Sequence, residues 1–355
     1  MKNAKMFLFF IGTLISAAFL LACNSETDTQ SRTYKLTYSI FFPATHGQAQ
    51  AGIAWAKEIE KRTKGRVQIS IFSSGSLTPA DQCYDGVVKG VSDIGMSCFS
   101  YTRGRFPVME VLDLPLGYPS GQIATRVAND VYRIFQPQEL NAVKVLYLHA
   151  HGPALLHTKK EVRSLEDLKG LKIRSTGLTA SIASSLGAVP VAMPQGMTYE
   201  SLQKGIVDGT IGPIEALKGW KQAEVIKNTT DCADVGYTTA MFVVMNKEKW
   251  LALPPDIQAI ITEVSNEWIS LHGKIWDDLD KEGREFSLSH GNKIIPLTDA
   301  ESLRWKKAVR PVIMEFVNNK GAEGQKALDE IDGLIKKYTA NPQALSEKAP
   351  EQPSL

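Results

Sequence analysis

Alternating apolar and polar positions predict the first folded unit of the chain. Residues 34–42 (YKLTYSIFF) alternate and are rich in aromatic and β-branched side chains, which is typical of a strand. The segment 43–47 (PATHG) breaks this pattern, and residues 48–63 then carry apolar side chains at helical spacing. A second strand is predicted at 67–72. The chain therefore begins with a βαβ unit, whose two strands are expected to be parallel neighbours.

Strand-like and helical segments continue to alternate over the rest of the chain. Further strands are predicted around Ile94 and at 144–148, 171–173, 188–192, 207–213, 237–246 and 293–296. Further helices are predicted at 79–89, 165–169, 179–186, 199–204 and 300–318. This alternation indicates an α/β fold.

One helical segment is unusually long. From Asp256 to about Phe286 the apolar residues keep a period near that of an α-helix. A helix of about thirty residues would run roughly 45 Å. That length is enough to lie across two lobes of ordinary size.

The first 22 residues are predicted to be a lipoprotein signal peptide and not part of the fold. Lys2 and Lys5 precede an apolar run at 6–21, which is short for a membrane span once its Gly, Thr and Ser are counted. The sequence Leu-Leu-Ala-Cys that follows matches a bacterial lipobox. Cys23 is therefore predicted to be acylated and to anchor the protein to the membrane, with 23–33 as a polar tether. A plain secretory signal is the alternative.

Charge and cysteine content narrow the choice of partners. Without its first 22 residues the chain keeps 38 of its 40 basic residues against 38 acidic ones, so its net charge is zero. Neither a nucleic acid nor an anionic membrane surface is indicated. After Cys23 the cysteines are Cys83, Cys98 and Cys232. Three thiols cannot all pair, so at most one disulfide is expected.

The segment 164–177 (SLEDLKGLKIRSTG) carries the strongest candidate for a binding residue. Ser164 and Asp167 form a capping-box pattern, and Gly170 is expected to end the short helix. Arg174 then ends a short strand at the mouth of a βα connection, where open α/β folds bind ligands. Its planar guanidinium suits a carboxylate held by two parallel hydrogen bonds. A solvated charge at the strand end is the alternative.

His149, His151 and His157 lie close together in the sequence. The first two would share one face of a strand, which raises the hypothesis of a metal site. No acid or thiol joins them at ligand spacing, however. We therefore expect histidines that line a pocket or are hydrogen-bonded, with no metal and no cofactor.

Several phrases in a fixed order carry a resemblance to a known family. They are GVSDIG at 90–95, LDLPLGY at 112–118, DLKGLKIR at 167–174, PVAMP at 190–194 and LQKGIVDG at 202–209. Together they resemble the extracytoplasmic solute-binding proteins of TRAP transporters, the DctP-type family, over about residues 34–338. The resemblance implies that Arg174 clamps a ligand carboxylate in a cleft that closes on it, and that the loaded receptor docks on a membrane permease in the periplasm.

The resemblance also implies a two-lobed fold like that of periplasmic binding proteins. Each lobe is expected to contain a mixed sheet, and the long helix is expected to span both. Lobe I is expected at 34–150 and 240–280, lobe II at 151–239 and 281–320, and a C-terminal helix with a loose tail at 321–355.

Two departures from the family pattern bear on the ligand. Counted back from Arg174 without gaps, sialic-acid and many C4-dicarboxylate relatives carry a second arginine where this chain has Ala154. Relatives such as the sialic-acid binders often carry a polar residue just before the position of Pro213, where this chain has Gly212. We therefore expect a monocarboxylate with an apolar or aromatic tail, such as an aryl or branched-chain 2-oxo acid. A C4-dicarboxylate or a sugar acid is the alternative. The other residues expected at the ligand are Phe42, His46, Phe99, His151, Thr176, Glu215, Trp220, Tyr237, Thr238 and Phe242.

A positive charge on a histidine would weaken this prediction. His46, His149 or His151 could supply the second cation that a dicarboxylate needs. The ligand class therefore depends on the protonation of these three side chains.

Motifs for catalysis are absent from the sequence. It contains no GxGxxG after a strand, no Walker A motif, no HExxH, no GxSxG and no CxxC. A solute receptor that binds without turnover is therefore predicted. An exported enzyme would form a product, and a structural or adhesive lipoprotein would bury no ligand.

Overall fold

The computed structural model describes residues 32–345, which form eleven strands and ten α-helices. The strands are β1 Tyr34–Ile40, β2 Val67–Phe72, β3 Ile94–Cys98, β4 Val143–Ala150, β5 Leu155–Thr158, β6 Lys172–Ser175, β7 Val189–Ala192, β8 Gly209–Gly212, β9 Asn228–Asp231, β10 Ala240–Asn246 and β11 Lys293–Pro296. The helices are α1 Gly47–Arg62, α2 Cys83–Val88, α3 Gly121–Phe135, α4 Leu165–Leu168, α5 Thr179–Ser185, α6 Thr198–Gln203, α7 Ala216–Gly219, α8 Lys247–Leu251, α9 Pro255–Ser289 and α10 Asp299–Ala340. The predicted signal peptide, Cys23 and most of its tether lie outside the described residues, so the lipid anchor stays a prediction.

The first sheet has five strands in the order β2-β1-β3-β10-β4. β1 pairs in parallel with both β2 and β3, as the predicted βαβ unit requires. β10 lies between β3 and β4 and runs antiparallel to both. Every residue of β3, β4 and β10 is buried, which fits strands covered by helices on both faces.

The second sheet has six strands in the order β11-β9-β5-β8-β6-β7. β6 is parallel to its neighbours β7 and β8, whereas β5 is antiparallel to β8 and β9. Both sheets are therefore mixed, and the predicted α/β fold is confirmed. The chain leaves the first sheet after β4 and returns to it as β10, and we propose the lobe ranges given above on this basis.

The long helix α9 connects the two halves of the molecule. It begins at Pro255, a residue favoured in the first helical turn, and continues to Ser289. α9 packs against α1, α3 and β4 on the side of the first sheet and against α7 and β11 on the side of the second. The expected long helix is therefore present.

The C-terminal part of the described chain is mostly helical. α10 continues from Asp299 to Ala340 and is kinked at Gly321, whose φ of 61° lies in the left-handed region. α10 packs against α3, which lies on the first sheet, and against α5, which lies on the second. A further turn at Pro342–Leu345 buries Ala344, and the Ser270 hydroxyl on α9 donates to the Leu345 carbonyl.

Two features bear on export and anchoring. Cys83, Cys98 and Cys232 are buried free thiols, so the one disulfide that the sequence allowed is not formed among them. Across residues 32–345, none of the helices is both long enough and apolar enough to cross a membrane.

Candidate functional site

A cavity lies between the two sheets, with about 420 Å³ of empty space that includes its opening to solvent. Strand ends and loops of both sheets meet here, together with one face of α9. Aromatic side chains make up much of its wall: Phe41, Phe42, Tyr101, Trp220, Tyr237 and Trp276.

Arg174 lies in this wall because of the local structure that the sequence predicts. The Ser164 hydroxyl accepts from the Asp167 amide, and the Asp167 carboxylate accepts from the Ser164 amide, so the capping box is formed. Gly170 then takes a φ of 78°, which ends the short helix α4 and leads the chain into β6. Arg174 is the third residue of β6, paired with Val191 on β7 and Thr210 on β8.

The guanidinium of Arg174 is buried and only partly paired. The side chain is 5% exposed, and its Nε donates to the Met193 carbonyl at 3.0 Å. Among residues 32–345 no hydrogen-bond acceptor is found for its two Nη atoms. This arrangement fixes the plane of the guanidinium and leaves its terminal donors for a ligand in the cavity.

Neutral side chains surround Arg174. Burial raises the pKa of the Cys98 thiol and of the Tyr101 and Tyr237 phenols above their usual ranges, although Arg174 opposes each shift. All three groups are therefore protonated at neutral pH. The Tyr237 hydroxyl donates to the Ile211 carbonyl at 3.0 Å.

Backbone donors fix the tautomers of two histidines at the cavity. The Thr239 amide donates to Nε2 of His151 at 3.0 Å, so the ring proton is on Nδ1, which donates to the Gly152 carbonyl at 2.6 Å. The Gln48 amide donates to Nδ1 of His46 at 3.2 Å, so its proton is on Nε2. Each ring thus has one nitrogen that accepts and one that donates in this arrangement.

His149 is also held neutral. Its Nδ1 accepts from the Trp276 indole at 3.0 Å, and burial lowers its pKa well below the usual value. Burial likewise lowers the pKa of His151 to about 4. His149 and His151 are therefore neutral at neutral pH and supply no second positive charge. No three His, Cys, Asp or Glu side chains of the described residues converge to hold a metal ion.

Glu215 is the buried acid of the cavity wall. It lies just after β8 and is 3% exposed. Its Oε2 accepts from Nε2 of His46 at 2.8 Å, and its backbone amide donates to Oδ1 of Asp280 on α9 at 3.1 Å. Burial and the neighbouring Glu215 carboxylate raise the pKa of Asp280 to about 8.

Contacts between the two sheets close the cavity on several sides. The Gln195 amide donates to the Tyr101 oxygen at 3.2 Å, and the Thr176 and Ser100 hydroxyls are 3.5 Å apart. Trp220 stacks on Phe41, with ring centroids 6.2 Å apart and planes 19° apart. The His46–Glu215 bond is a further contact of this kind.

The structure brings most of the sequence-predicted residues to the cavity. Those that line it are Phe42, His151, Arg174, Thr176, Gly212, Glu215, Trp220 and Tyr237. A Cβ atom placed at Gly212 would meet nothing within 4 Å, so the room expected at this position is present.

Other predicted residues lie behind the wall. His46 contacts Trp220 and Glu215 without lining the cavity, and the Thr238 hydroxyl donates to the His151 carbonyl. Ala154 is fully buried, and its amide donates to the Tyr237 carbonyl. Phe99 and Phe242 pack against each other and against Phe106 in the core.

Sequence reasoning missed several lining residues. Phe41 and Thr239 are next to the predicted residues Phe42 and Thr238. Only the alternation of side chains along a strand could have indicated which residue of each pair faces the cavity. Trp276 is one apolar residue of a long amphipathic helix, and Tyr101 and Gln195 lie in short 3₁₀ turns. Only the packing of distant segments brings these five together.

Comparisons with known proteins agree with this architecture. The chain matches the family described as bacterial extracellular solute-binding protein, family 7 (DctP), over residues 38–320. A TRAP periplasmic solute binding protein from Desulfovibrio salexigens DSM2638 is 33% identical, with a TM-score of 0.76 over 87% of this chain and 97% of that chain. A TRAP solute binding protein from Rhodoferax ferrireducens T118, in complex with copurified benzoate, is 29% identical, with a TM-score of 0.82 over 87% and 99% of the two chains.

A further relative has a name that states its ligand. A monocarboxylate 2-oxoacid-binding periplasmic protein from Nostoc sp. is 28% identical over 255 residues, which are 68% of each chain. The resemblance found in the sequence is thus confirmed at the level of the family and of the fold. The chain belongs to the DctP family of bacterial extracellular solute-binding proteins, the solute receptors of TRAP transporters.

Proposed function

We propose that this receptor binds an organic monocarboxylate with an apolar or aromatic tail and that Arg174 holds the carboxylate. The observation that carries the proposal is the charge content of the cavity wall. Within the described part of the chain, Arg174 is the only lysine or arginine that lines the cavity, and Glu215 is the only acid. One carboxylate is matched by Arg174, whereas a second would have no cation and would add to the charge of Glu215.

The hydrogen bonds of two histidines support the same proposal. His46 and His151 each use one ring nitrogen to accept from a backbone amide, so protonation would break that bond. This answers the main objection to a monocarboxylate. The absence of a second arginine at Ala154 carries less weight, because this position lies behind the wall.

The tail of the ligand is expected to pack on aromatic rings. Phe41, Phe42 and Trp220 line the cavity and contact one another. Burying one ring of a ligand contributes about 2 to 3 kcal/mol. Burying an unpaired second carboxylate would cost more than that. The copurified benzoate of the Rhodoferax relative and the name of the Nostoc relative favour the same class.

Delivery and anchoring follow from the family and from the N-terminal sequence. We propose that the loaded receptor docks on a membrane permease and that acylated Cys23 anchors it at the periplasmic face of a membrane. Unmodified release of the ligand is expected, since binding without turnover is the role of this family.

A thermal-shift screen at neutral pH tests the ligand class. Phenylacetate, benzoate and branched-chain 2-oxo acids are compared with succinate, malate and sialate. We expect stabilisation by at least one monocarboxylate and none by the dicarboxylates or sialate, with the acid recovered unchanged by mass spectrometry. Stabilisation by C4-dicarboxylates alone would show that the proposed ligand class is wrong, and recovery of a product would favour an exported enzyme.

A further inference from the structure

We propose that Glu215 accepts a hydrogen bond from a hydroxyl or N–H group of the bound acid. The ligand would then be a monocarboxylate whose otherwise apolar tail carries one hydrogen-bond donor. This inference rests on the proposed function and adds a second polar contact to that of Arg174. It assigns Glu215 a direct role in specificity.

The first observation is that only one oxygen of the Glu215 carboxylate is paired. Oε2 accepts from Nε2 of His46 at 2.8 Å, and the tautomer of His46 is fixed by the Gln48 amide. Within residues 32–345 no donor is found for Oε1. The side chain is 4% exposed, so bulk water has little access to it, yet it lines the cavity.

The second observation is the kind of group that neighbours Glu215. Asp280 accepts from the Glu215 amide, and its own charge is disfavoured because burial and Glu215 raise its pKa to about 8. Apart from Arg174, no lysine or arginine of the described chain lines the cavity. The carboxylate therefore lacks a second partner from the protein. An entirely apolar ligand would leave Oε1 unpaired in a closed cavity, which is costly for a buried acceptor.

The third observation is the path from Arg174 to Glu215. Arg174 on β6 pairs with Thr210 on β8, and the two strands are parallel. Both strands therefore end at the same edge of the sheet, and the segment that follows Gly212 carries Glu215. Since a Cβ atom at Gly212 would meet nothing within 4 Å, this stretch of the cavity is unobstructed. One small ligand can thus contact both side chains.

A different role for Glu215 predicts a different result. The His46–Glu215 bond joins an element of the first sheet to one of the second, so Glu215 could serve closure alone. Loss of a closure contact would weaken all ligands by the same factor. Loss of an acceptor for the ligand would weaken only ligands that donate.

The experiment compares three kinds of probe on the full protein by calorimetry. The probes are phenylacetate, its α-, 3- and 4-hydroxy derivatives, and the methyl ethers of those derivatives. We expect at least one hydroxy derivative to bind at least tenfold more tightly than both phenylacetate and its own methyl ether, which can accept but not donate. In Glu215→Met we expect this ratio to fall below threefold. Glu224→Met, at an exposed acid paired with Tyr199, should keep it.

Each outcome decides the matter. The inference is wrong if every hydroxy derivative binds less than tenfold more tightly than phenylacetate. It is also wrong if the methyl ether binds as tightly as its hydroxy derivative, even when Arg174 proves essential. The same holds if Glu215→Met keeps the ratio. If the phenylacetates do not bind, 3-methylbutanoate and its hydroxy derivatives replace them under the same criteria. Binding of dicarboxylates alone would remove the proposed function, and the inference with it. If Glu215→Met fails to fold, the comparison of the hydroxy derivatives with phenylacetate and the methyl ethers on the wild type still tests the inference.

Discussion

Arg174 is the residue on which binding is expected to depend most. Its Nε is held by the Met193 carbonyl, so the terminal nitrogens are oriented before the ligand arrives. Arg174→Ala would leave a buried ligand carboxylate uncompensated, at a cost of about 3 to 5 kcal/mol. We expect affinity for the best acid to fall by several hundredfold or more in calorimetry.

Two variants control for this result. Arg163→Ala removes an exposed arginine of the same lobe that pairs with Glu161, and it should bind like the wild type. Arg174→Lys keeps the charge without the planar guanidinium, so its affinity should lie between those of the wild type and Arg174→Ala. Affinity of Arg174→Ala within about fivefold of wild type would contradict the assignment.

Gly212 determines how much room a ligand has. Its backbone φ is not in the left-handed region, and a Cβ atom would contact nothing, so a side chain is tolerated by the fold. Gly212→Val should therefore unfold within about 2 °C of the wild type. It should bind aromatic acids at least tenfold more weakly, because its methyl groups occupy the space of the tail. Unchanged affinity for every acid tested would place the tail elsewhere.

For single residues, the sequence was informative where one short segment determines the residue's position. The position of Arg174 in a strand was predicted because the capping box and Gly170 before it are local signals, whereas its role at the ligand was predicted from the resemblance to the family. The hydrogen bonds of His46 and His151 were not predictable, because they come from the amides of Gln48 and Thr239, whose approach to the rings is set by the fold. The unpaired oxygen of Glu215 could not be predicted for the same reason.

Among the elements, α9 packs tightly against the segment that carries Glu215. A Cβ atom at Gly283 would lie 2.5 Å from the Ile214 carbonyl oxygen and 2.6 Å from the Glu215 Cα. Gly283→Ala should therefore displace the segment that carries Glu215, with a loss of about 1 to 3 kcal/mol in the free energy of unfolding. Ligand affinity should fall as well.

The same substitution elsewhere provides a matched control. Gly333 is an exposed helical residue of α10 where a Cβ atom would meet nothing within 4 Å. Gly333→Ala should stabilise the protein by about 0.5 to 1 kcal/mol, since alanine is the better helix former. Denaturant unfolding of both variants checks the pair, and equal effects would show that the tight contact at Gly283 is unimportant.

The elements found from the sequence were those with strong periodicity. α9, β10 and the opening βαβ unit were predicted near their observed positions. β5 and β9 were not predicted, and neither was α3. β9 (NTTD) has no apolar alternation and is held in place by β5 and β11 on its two sides. Its strand conformation is a consequence of the sheet and not of its own residues.

For the molecule as a whole, Asp280 should give stability an unusual dependence on pH. Its folded pKa of about 8 lies above the unfolded value of about 3.9. The folded protein therefore binds the extra proton between these values. This contribution to stability is fully present below about pH 3.9 and is lost as pH rises through about 8.

Asp280→Asn removes this titration and keeps an oxygen to accept from the Glu215 amide. Between pH 5 and 8 the wild type should lose stability relative to the variant by about 1.4 kcal/mol per pH unit. Buried histidines such as His151 and His272, whose pKa values are lowered to about 4 and 3, act in the opposite direction, but they cancel in the difference. Denaturant unfolding over this pH range measures it. Asp278→Asn, at an exposed acid of α9 paired with Lys274, is the matched control, and a flat difference for Asp280→Asn would disprove the shift.

The central place of β10 in the first sheet has a consequence for the order in which the molecule can be made. Residues up to Ala150 contain four of the five strands of that sheet, but the missing one lies between β3 and β4. Until Ala240–Asn246 leaves the ribosome, these two strands have no partner along their facing edges. The first sheet is thus completed only after most of the second has been made, because the second sheet lacks only β11 when β10 is added. A nascent chain of this kind stays unfinished through most of its synthesis, and a cut near residue 150 cannot give two independent halves.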